Sequence, residues 1–286
     1  MKKTAYRLVA LDLDGTLLTS RQTITPRTRA ALEAARAQGI LPVVTTGRTA
    51  HSALEWSQAI GGGPVICCNG AGLLDADGSW ILHREIPAEP LRRLLEIAGG
   101  RAVLHCLTPV GAFLDRPFQY ARYYLKWVQF DKRPAAAASS MFRAFWRNRT
   151  RPVRSLVDWA AEPGRPPVLK VMLFGEPDAL GPLAAELKQA LPTLEISSSA
   201  EDNLEATAAG VTKASGLERL AARLKVPREA IIAFGDSDND REMLQYAGLG
   251  VAMGSAPDAV KAVADRVTAS CDEDGVALVL EELCRT

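Results

Sequence analysis

The sequence has few cysteines and histidines, almost no net charge and no long apolar run. Five cysteines occur, Cys67, Cys68, Cys106, Cys271 and Cys284, and none forms a CxxC pair. That excludes a disulfide framework and leads us to expect reduced thiols and a cytoplasmic location. The three histidines, His51, His83 and His105, show no metal-ligand spacing, so each is expected on the surface or in the core. A net charge of +1 gives no global field toward nucleic acid or membrane. No stretch of about 18 apolar residues exists, so no membrane span is expected. Met1-Lys2-Lys3-Thr4-Ala5 begins like a signal peptide, but the apolar run behind it is short and ends at Asp12. There is no internal repeat and no low-complexity tail. With 286 residues, 48% of them hydrophobic, the chain has room for one large or two modest globular domains.

What is present is organised around Arg7 to Thr16, RLVALDLDGT. Leu8-Val9-Ala10-Leu11 has the length and character of a buried strand. It stops on two carboxylates, Asp12 and Asp14. Burying either one unpaired would cost several kcal/mol, so a core strand ending this way calls for a cation. Two residues apart on an extended chain, both can face one side. Gly15 permits a tight turn just beyond them. In open α/β sheets, ligands bind at the carboxyl ends of the strands, where this pair would lie.

The rest of the chain alternates in the same manner. Thr25-Pro26 reads as an N-cap and first helical position, and Gly39 as the stop. Ile40 to Val44 is strand-like and ends in Thr45-Thr46-Gly47-Arg48. A helix is expected over about 49–60, and a third strand over 64–68 runs into Asn69-Gly70. Asp77-Gly78 marks a hairpin turn. Lys213 to Leu224 has helical periodicity. Ala230 to Phe234 is an apolar strand ending in Gly235-Asp236-Ser237-Asp238-Asn239-Asp240, with a helix over 241–246 behind it. Strands alternating with helices predict a doubly wound, Rossmann-like parallel sheet.

The middle differs. Between Arg116 and Arg165 stand eleven basic residues and three acidic ones, together with many of the aromatics. We expect an inserted α/β domain over 83–196, with the first fold formed by 1–82 and 197–286. Asp202, Asn203 and Glu205 are expected in a solvated loop. A basic insert would attract anions. The aromatics follow no repeated platform, so they are expected in the insert's core and not on a nucleic-acid surface.

Four motifs in order, Asp12-Leu13-Asp14-Gly15-Thr16, Thr46-Gly47-Arg48, Gly210-Val211-Thr212-Lys213 and Gly235-Asp236-Ser237-Asp238-Asn239-Asp240, resemble those of haloacid dehalogenase-type phosphatases. The nearest resemblance is to the Cof-type, subclass IIB, sugar-phosphatase-like hydrolases. Gly250 to Ala256 and Cys271 to Val276 resemble further segments of that family, though Ser255 stands where Asn is usual. A lysine at a helix start is ordinarily a surface residue; the place of Lys213 between the second and fourth motifs argues for function.

The resemblance implies an α/β cap between the second and third motifs. It implies Asp12 as nucleophile and Asp14 as general acid and base, since carboxylates form acyl phosphates and transfer protons in such reactions. Thr46 would hold a phosphoryl oxygen, with Thr45 as the rival position, and Gly47 would bring a backbone N–H close. Arg48 suits either phosphate recognition or a structural ion pair. Asn69 would lie near the phosphate or simply form a turn. Lys213 would offset negative charge. Asp12, the Asp14 carbonyl and Asp236 would ligate Mg²⁺, with Asn239 assisting, and Asp240 would stand behind them and hold Lys213 or a water. A carboxylate set without His or Cys selects a hard cation. The expected activity is Mg²⁺-dependent phosphomonoester hydrolysis of small phosphorylated metabolites, sugar phosphates first, by a monomer or homodimer without nucleic-acid or membrane partners. The alternatives are a phosphomutase or phosphotransferase on the same scaffold, and a non-catalytic phosphometabolite-binding protein.

Overall fold

The computed structural model describes residues 6–127, 148–198 and 201–285. The chain divides into two compact units, Met1–His83 with Thr212–Thr286, and Arg84–Val211. Its strands, in chain order, are β1 (Leu8–Leu11), β2 (Leu41–Thr45), β3 (Val65–Cys67), β4 (Gly72–Leu74), β5 (Trp80–His83), β6 (Val103–Thr108) and β7 (Gly111–Leu114). They continue with β8 (Thr150–Pro152), β9 (Lys170–Phe174), β10 (Leu194–Ser197), β11 (Asn203–Ala208), β12 (Ile231–Gly235), β13 (Leu249–Ala252) and β14 (Arg266–Val267).

The first unit holds an eight-stranded sheet in the order β14-β13-β12-β1-β2-β3-β4-β5. From β14 to β3 all neighbours are parallel; β4 and β5 form an antiparallel hairpin at one edge. The chain moves from β1 through β2 to β3 on one side, and later from β12 to β14 on the other. The sheet's switch point therefore lies between β1 and β12, where such sheets bind ligands. The strands read as nearly continuous apolar runs because both faces are covered. One face packs Leu8, Ala10, Val43, Ile231 and Ala233 against Leu217 and Leu220 of the Lys213–Leu224 helix and Leu244 of the Arg241–Tyr246 helix. Val9 and Leu11, on the other face, are equally buried. Helices Pro26–Ala37 and Gly275–Cys284 pack together, tied by Arg27 to Glu281 at 2.8 Å.

Local signals place the helix starts. Thr25 caps the Pro26–Ala37 helix by accepting from Thr28 N, with Pro26 in the first turn. Thr49 does the same for Ala50–Ala59. Thr212 and Ser215 form a reciprocal capping box that sets Lys213 as the first helical residue.

The second unit is a six-stranded sheet in the order β10-β11-β9-β6-β7-β8. One of its faces carries an apolar core, including Leu104, Val171, Leu173, Leu204 and Ala206, packed with Leu91, Leu95, Leu180 and Leu187. This unit ends at Val211, not at 196, because β11 pairs with β9 and β10. The solvated loop expected around Asn203 and Glu205 is a buried strand. Its polar residues hide the strand pattern: buried Glu205 is met by the equally buried Lys170 at 2.7 Å. Much of the basic and aromatic cluster, including Lys132, Arg133, Arg143, Phe142, Phe145 and Trp146, lies outside the described residues. Among those described, Arg165 bonds the Ala160 and Pro166 carbonyls and stands 6.0 Å from the Trp159 ring.

Candidate active site

Four adjacent parallel strands end side by side, and each delivers a motif. Asp12 follows β1, Thr46 follows β2, Asn69 lies just beyond β3, and Asp236 follows β12. Each apolar run ends where the sheet ends, so the polar residue after it falls on the carboxyl edge.

Lys213 stands at the centre. Its Nζ donates to Asp12 Oδ1 and to Asp240 Oδ1, both at 2.7 Å. The lysine is 1% exposed, Asp12 4% and Asp240 0%, so this is a buried charge network and not a surface pair. Asp240 is anchored from behind. Its Oδ2 accepts from the backbone N–H groups of Asp236 at 3.1 Å and Ser237 at 3.0 Å, and from Ser237 Oγ at 3.2 Å. The whole GDSDND turn thereby folds around one carboxylate. Asp236 Oδ1 accepts from Thr16 Oγ1 at 2.9 Å. Asn239 is half-buried, and its Oδ1 accepts from Ser237 Oγ at 2.8 Å. Asp238 is exposed and pairs with Arg241 at 3.1 Å.

Carboxylate oxygens of Asp12, Asp236 and Asp240 lie within 4.8 Å of one another. Burial, with Asp240 and other acids nearby, pushes Asp12 well above the usual carboxylate range in spite of Lys213. Burial and Asp240 likewise raise Asp236 to about 7, although the Thr16 hydroxyl opposes this. Burial would lower Lys213, yet Asp12 and Asp240 hold it above its ordinary value. With all three carboxylates ionised, one ammonium would leave two negative charges uncompensated. An all-oxygen set with that excess fits a hard divalent cation.

Gly15 brings the first motif onto the fourth. Its φ is +77°, and a Cβ there would lie 2.2 Å from Asp236 Oδ2. Gly15→Ala is expected to displace Asp236, and a divalent cation bound through Asp236 would then be held at least about tenfold more weakly, as with other changes around metal ligands. Titration of activity against Mg²⁺ checks this; an unchanged curve would mean that Asp236 is not held by this contact.

Around the second motif, Thr46 is buried and its Oγ1 accepts from Arg48 N at 3.2 Å. Its carbonyl accepts from Asn69 N at 3.1 Å, and Gly47 follows it half-buried. Asn69 is a left-handed turn residue with φ 57°, and it is buried beside Thr46. A Cβ on Gly70 would meet the Thr212 carbonyl at 2.1 Å, which packs this turn on the helix start that carries Lys213. Thr45 is buried within β2. Arg48 pairs with Asp14 through Nε–Oδ2 at 2.8 Å and Nη2–Oδ1. Burial alone would raise the Asp14 carboxyl; Arg48 and Gln22 outweigh it and hold Asp14 below the usual range. His51, His83 and His105 join no carboxylate or thiol cluster among the described residues. Thr16, Ser237 and Gln22 belong to the site without having been singled out beforehand. Thr16 could have been, as a hydroxyl one residue past the first turn.

Comparison with known proteins agrees with this geometry. The profile of haloacid dehalogenase-like hydrolases matches residues 9–280. A 5-amino-6-(5-phospho-D-ribitylamino)uracil phosphatase of Bacillus subtilis, YitU, is 33% identical over 98% of both chains. A pyridoxal phosphate phosphatase of Escherichia coli, YbhA, is 30% identical over 95% of this chain and 96% of its own. The solved structure of a subclass IIB sugar phosphatase of the haloacid dehalogenase superfamily superposes with a TM-score of 0.80 at 26% identity, covering 96% of this chain and 98% of the other. With Asp12, Thr46, Asn69 and Asp236 at four neighbouring strand ends, its buried Lys213 network and these relatives over nearly its full length, the chain belongs to the haloacid dehalogenase-like hydrolase family and is a phosphatase.

Proposed function

We propose that the chain hydrolyses small phosphomonoesters, sugar phosphates first, with Mg²⁺ as cofactor and Asp12 as the phosphoryl acceptor. The observation that carries this is Lys213 Nζ held between Asp12 and Asp240, with Asp236 converging on both. The relatives named above act on a ribitylaminouracil phosphate, pyridoxal phosphate and sugar phosphates, so the substrate class is small and phosphorylated. The unit Arg84–Val211 would serve as the cap that selects among leaving groups.

Asp12 attacks phosphorus through the oxygen opposite the one Lys213 binds. The new O–P bond forms as the ester P–O bond breaks, and Asp14, which takes a proton from solvent as Arg48 turns from it to the substrate, gives that proton to the leaving oxygen. Ionised Asp14 then takes a proton from water as that water attacks phosphorus, releasing phosphate and the Asp12 carboxylate. Lys213 offsets the charge of Asp12 throughout, Thr46 and Gly47 orient the phosphoryl oxygens, and Asp240 fixes Lys213. A divalent cation held by Asp12, the Asp14 carbonyl and Asp236, with Asn239 assisting, would neutralise charge on the transferring group.

Hydrolysis of p-nitrophenyl phosphate with Mg²⁺ and with chelator tests the reading. Activity that chelator abolishes and Mg²⁺ restores is the expected result. Equal rates in both would overturn the cation's role, and no turnover of any of a panel of phosphorylated metabolites would overturn the hydrolase reading.

A further inference from the structure

Asp14 is used in both half-reactions, and its two partners differ in kind. Arg48 donates to both of its oxygens, through Nε at 2.8 Å and through Nη2. Gln22 Nε2 donates to Oδ1 at 3.1 Å, while Gln22 Oε1 accepts from Arg48 Nη2. Only this orientation of the amide, nitrogen to carboxylate and oxygen to guanidinium, makes both contacts favourable. One amide therefore bridges both members of the ion pair.

The backbone at Gln22 adds a second observation. Its φ of 57° lies in the left-handed region, where a long side chain is strained and Gly or Asn is at ease. Gln22 N bonds Thr19 O at 2.8 Å, Thr19 N bonds Thr23 O at 2.9 Å, and the Thr19 and Thr23 hydroxyls meet at 2.8 Å. The turn closes on itself and fixes the residue that reaches Asp14. A glutamine kept in such a conformation, with its side chain on a reacting group, points to use of that side chain.

The donor inventory then separates the roles. Arg48 is a cation with only donors, so a phosphoryl oxygen can draw its hydrogen bonds away from Asp14. The neutral Gln22 amide has its donor on Asp14 and its acceptor on Arg48, so it has no comparable claim on the phosphate and stays with Asp14. The Arg48 and Asp14 side chains are 22% and 39% exposed, which leaves the guanidinium open to an incoming phosphate. Resting on the phosphatase reading above, we propose that Gln22 is a positioning residue: it keeps the Asp14 carboxyl aimed at the leaving oxygen when Arg48 transfers its hydrogen bonds to the substrate's phosphoryl oxygens.

The test compares kcat/KM for p-nitrophenyl phosphate, whose leaving group needs little protonation, with phenyl phosphate, whose leaving group needs more. Wild type, Gln22→Gly, Gln22→Glu and Asp12→Ala are assayed with Mg²⁺. Glycine accepts the backbone angle. Glutamate is isosteric and keeps the acceptor toward Arg48, but has no N–H for Asp14. General acid help is worth about 10²–10⁴-fold, and loss of aim is expected to forfeit about tenfold of it. The ratio of the two kcat/KM values should therefore rise about tenfold in both Gln22 variants. An unchanged ratio, or equal loss on both substrates, overturns the proposal, because a merely structural residue would not distinguish leaving groups. Activity in Asp12→Ala would overturn the phosphatase mechanism itself; an inactive Asp12→Ala beside a wild-type ratio in both Gln22 variants would sink only the role of Gln22.

Discussion

Asp12→Ala is expected to bring turnover to background, a loss of about 10⁴-fold or more as for removal of other nucleophiles, while leaving the metal-free protein at least as stable as wild type. The two halves have one origin. Asp12 is buried, and burial, Asp240, Asp236 and Asp14 all raise its carboxyl, while Lys213 lowers it. An acid whose folded pKa lies above its unfolded value costs stability as pH rises through the folded value. At neutral pH its ionised form therefore works against the fold, and function retains it. Alanine removes that charge and leaves Lys213 paired with Asp240 at 2.7 Å. Thermal melts in chelator at pH 7, alongside the assay, check both halves. A melting point well below wild type would show that Asp12 is a structural partner of Lys213 first and a nucleophile second.

The same physics explains what was legible in the sequence. Apolar runs that stop on carboxylates, at Leu11-Asp12 and Gly235-Asp236, were readable because nothing in folding alone asks for acids there. The Lys213–Leu224 and Arg241–Tyr246 helices fall on their expected bounds, since periodicity and capping residues are local signals. β11 was not readable. Its Asn203, Glu205 and Thr207 look solvated until Lys170, distant in sequence, supplies the charge that lets Glu205 be buried. The two readings of Arg48, phosphate ligand or ion pair, could not be separated by residue type. The structure supplies the Asp14 pair, in which the Arg48 side chain stays 22% exposed. Gln22 carries no sequence signal at all, because its importance comes from a backbone angle and two contacts across a loop.

Lys213→Met is expected to abolish turnover as well, but with the opposite effect on stability. Methionine fills much of the same volume and removes the ammonium shared by Asp12 and Asp240. In the wild type those two acids hold the lysine's pKa above its ordinary value against burial. A raised lysine contributes its stability fully at all pH values below the unfolded pKa, so that contribution is present across pH 5–8 and is lost outright in the variant. Breaking a buried pair by removing one partner costs about 3–5 kcal/mol. The carboxylates left behind give the loss its pH dependence. Asp236 already sits near 7 with Lys213 helping to lower it, and burial holds Asp12 well above the usual carboxylate range. Without the ammonium both move up, so the variant should be most stable in acid and lose stability as pH rises through neutrality. Melting in chelator at pH 5 and pH 8 measures this, and Mg²⁺ at pH 8 should recover part of the loss by replacing the missing positive charge. A variant that melts like wild type at pH 8 without cation would show that Lys213 is not what balances the carboxylates, and the electrostatic account of the site would fall with it.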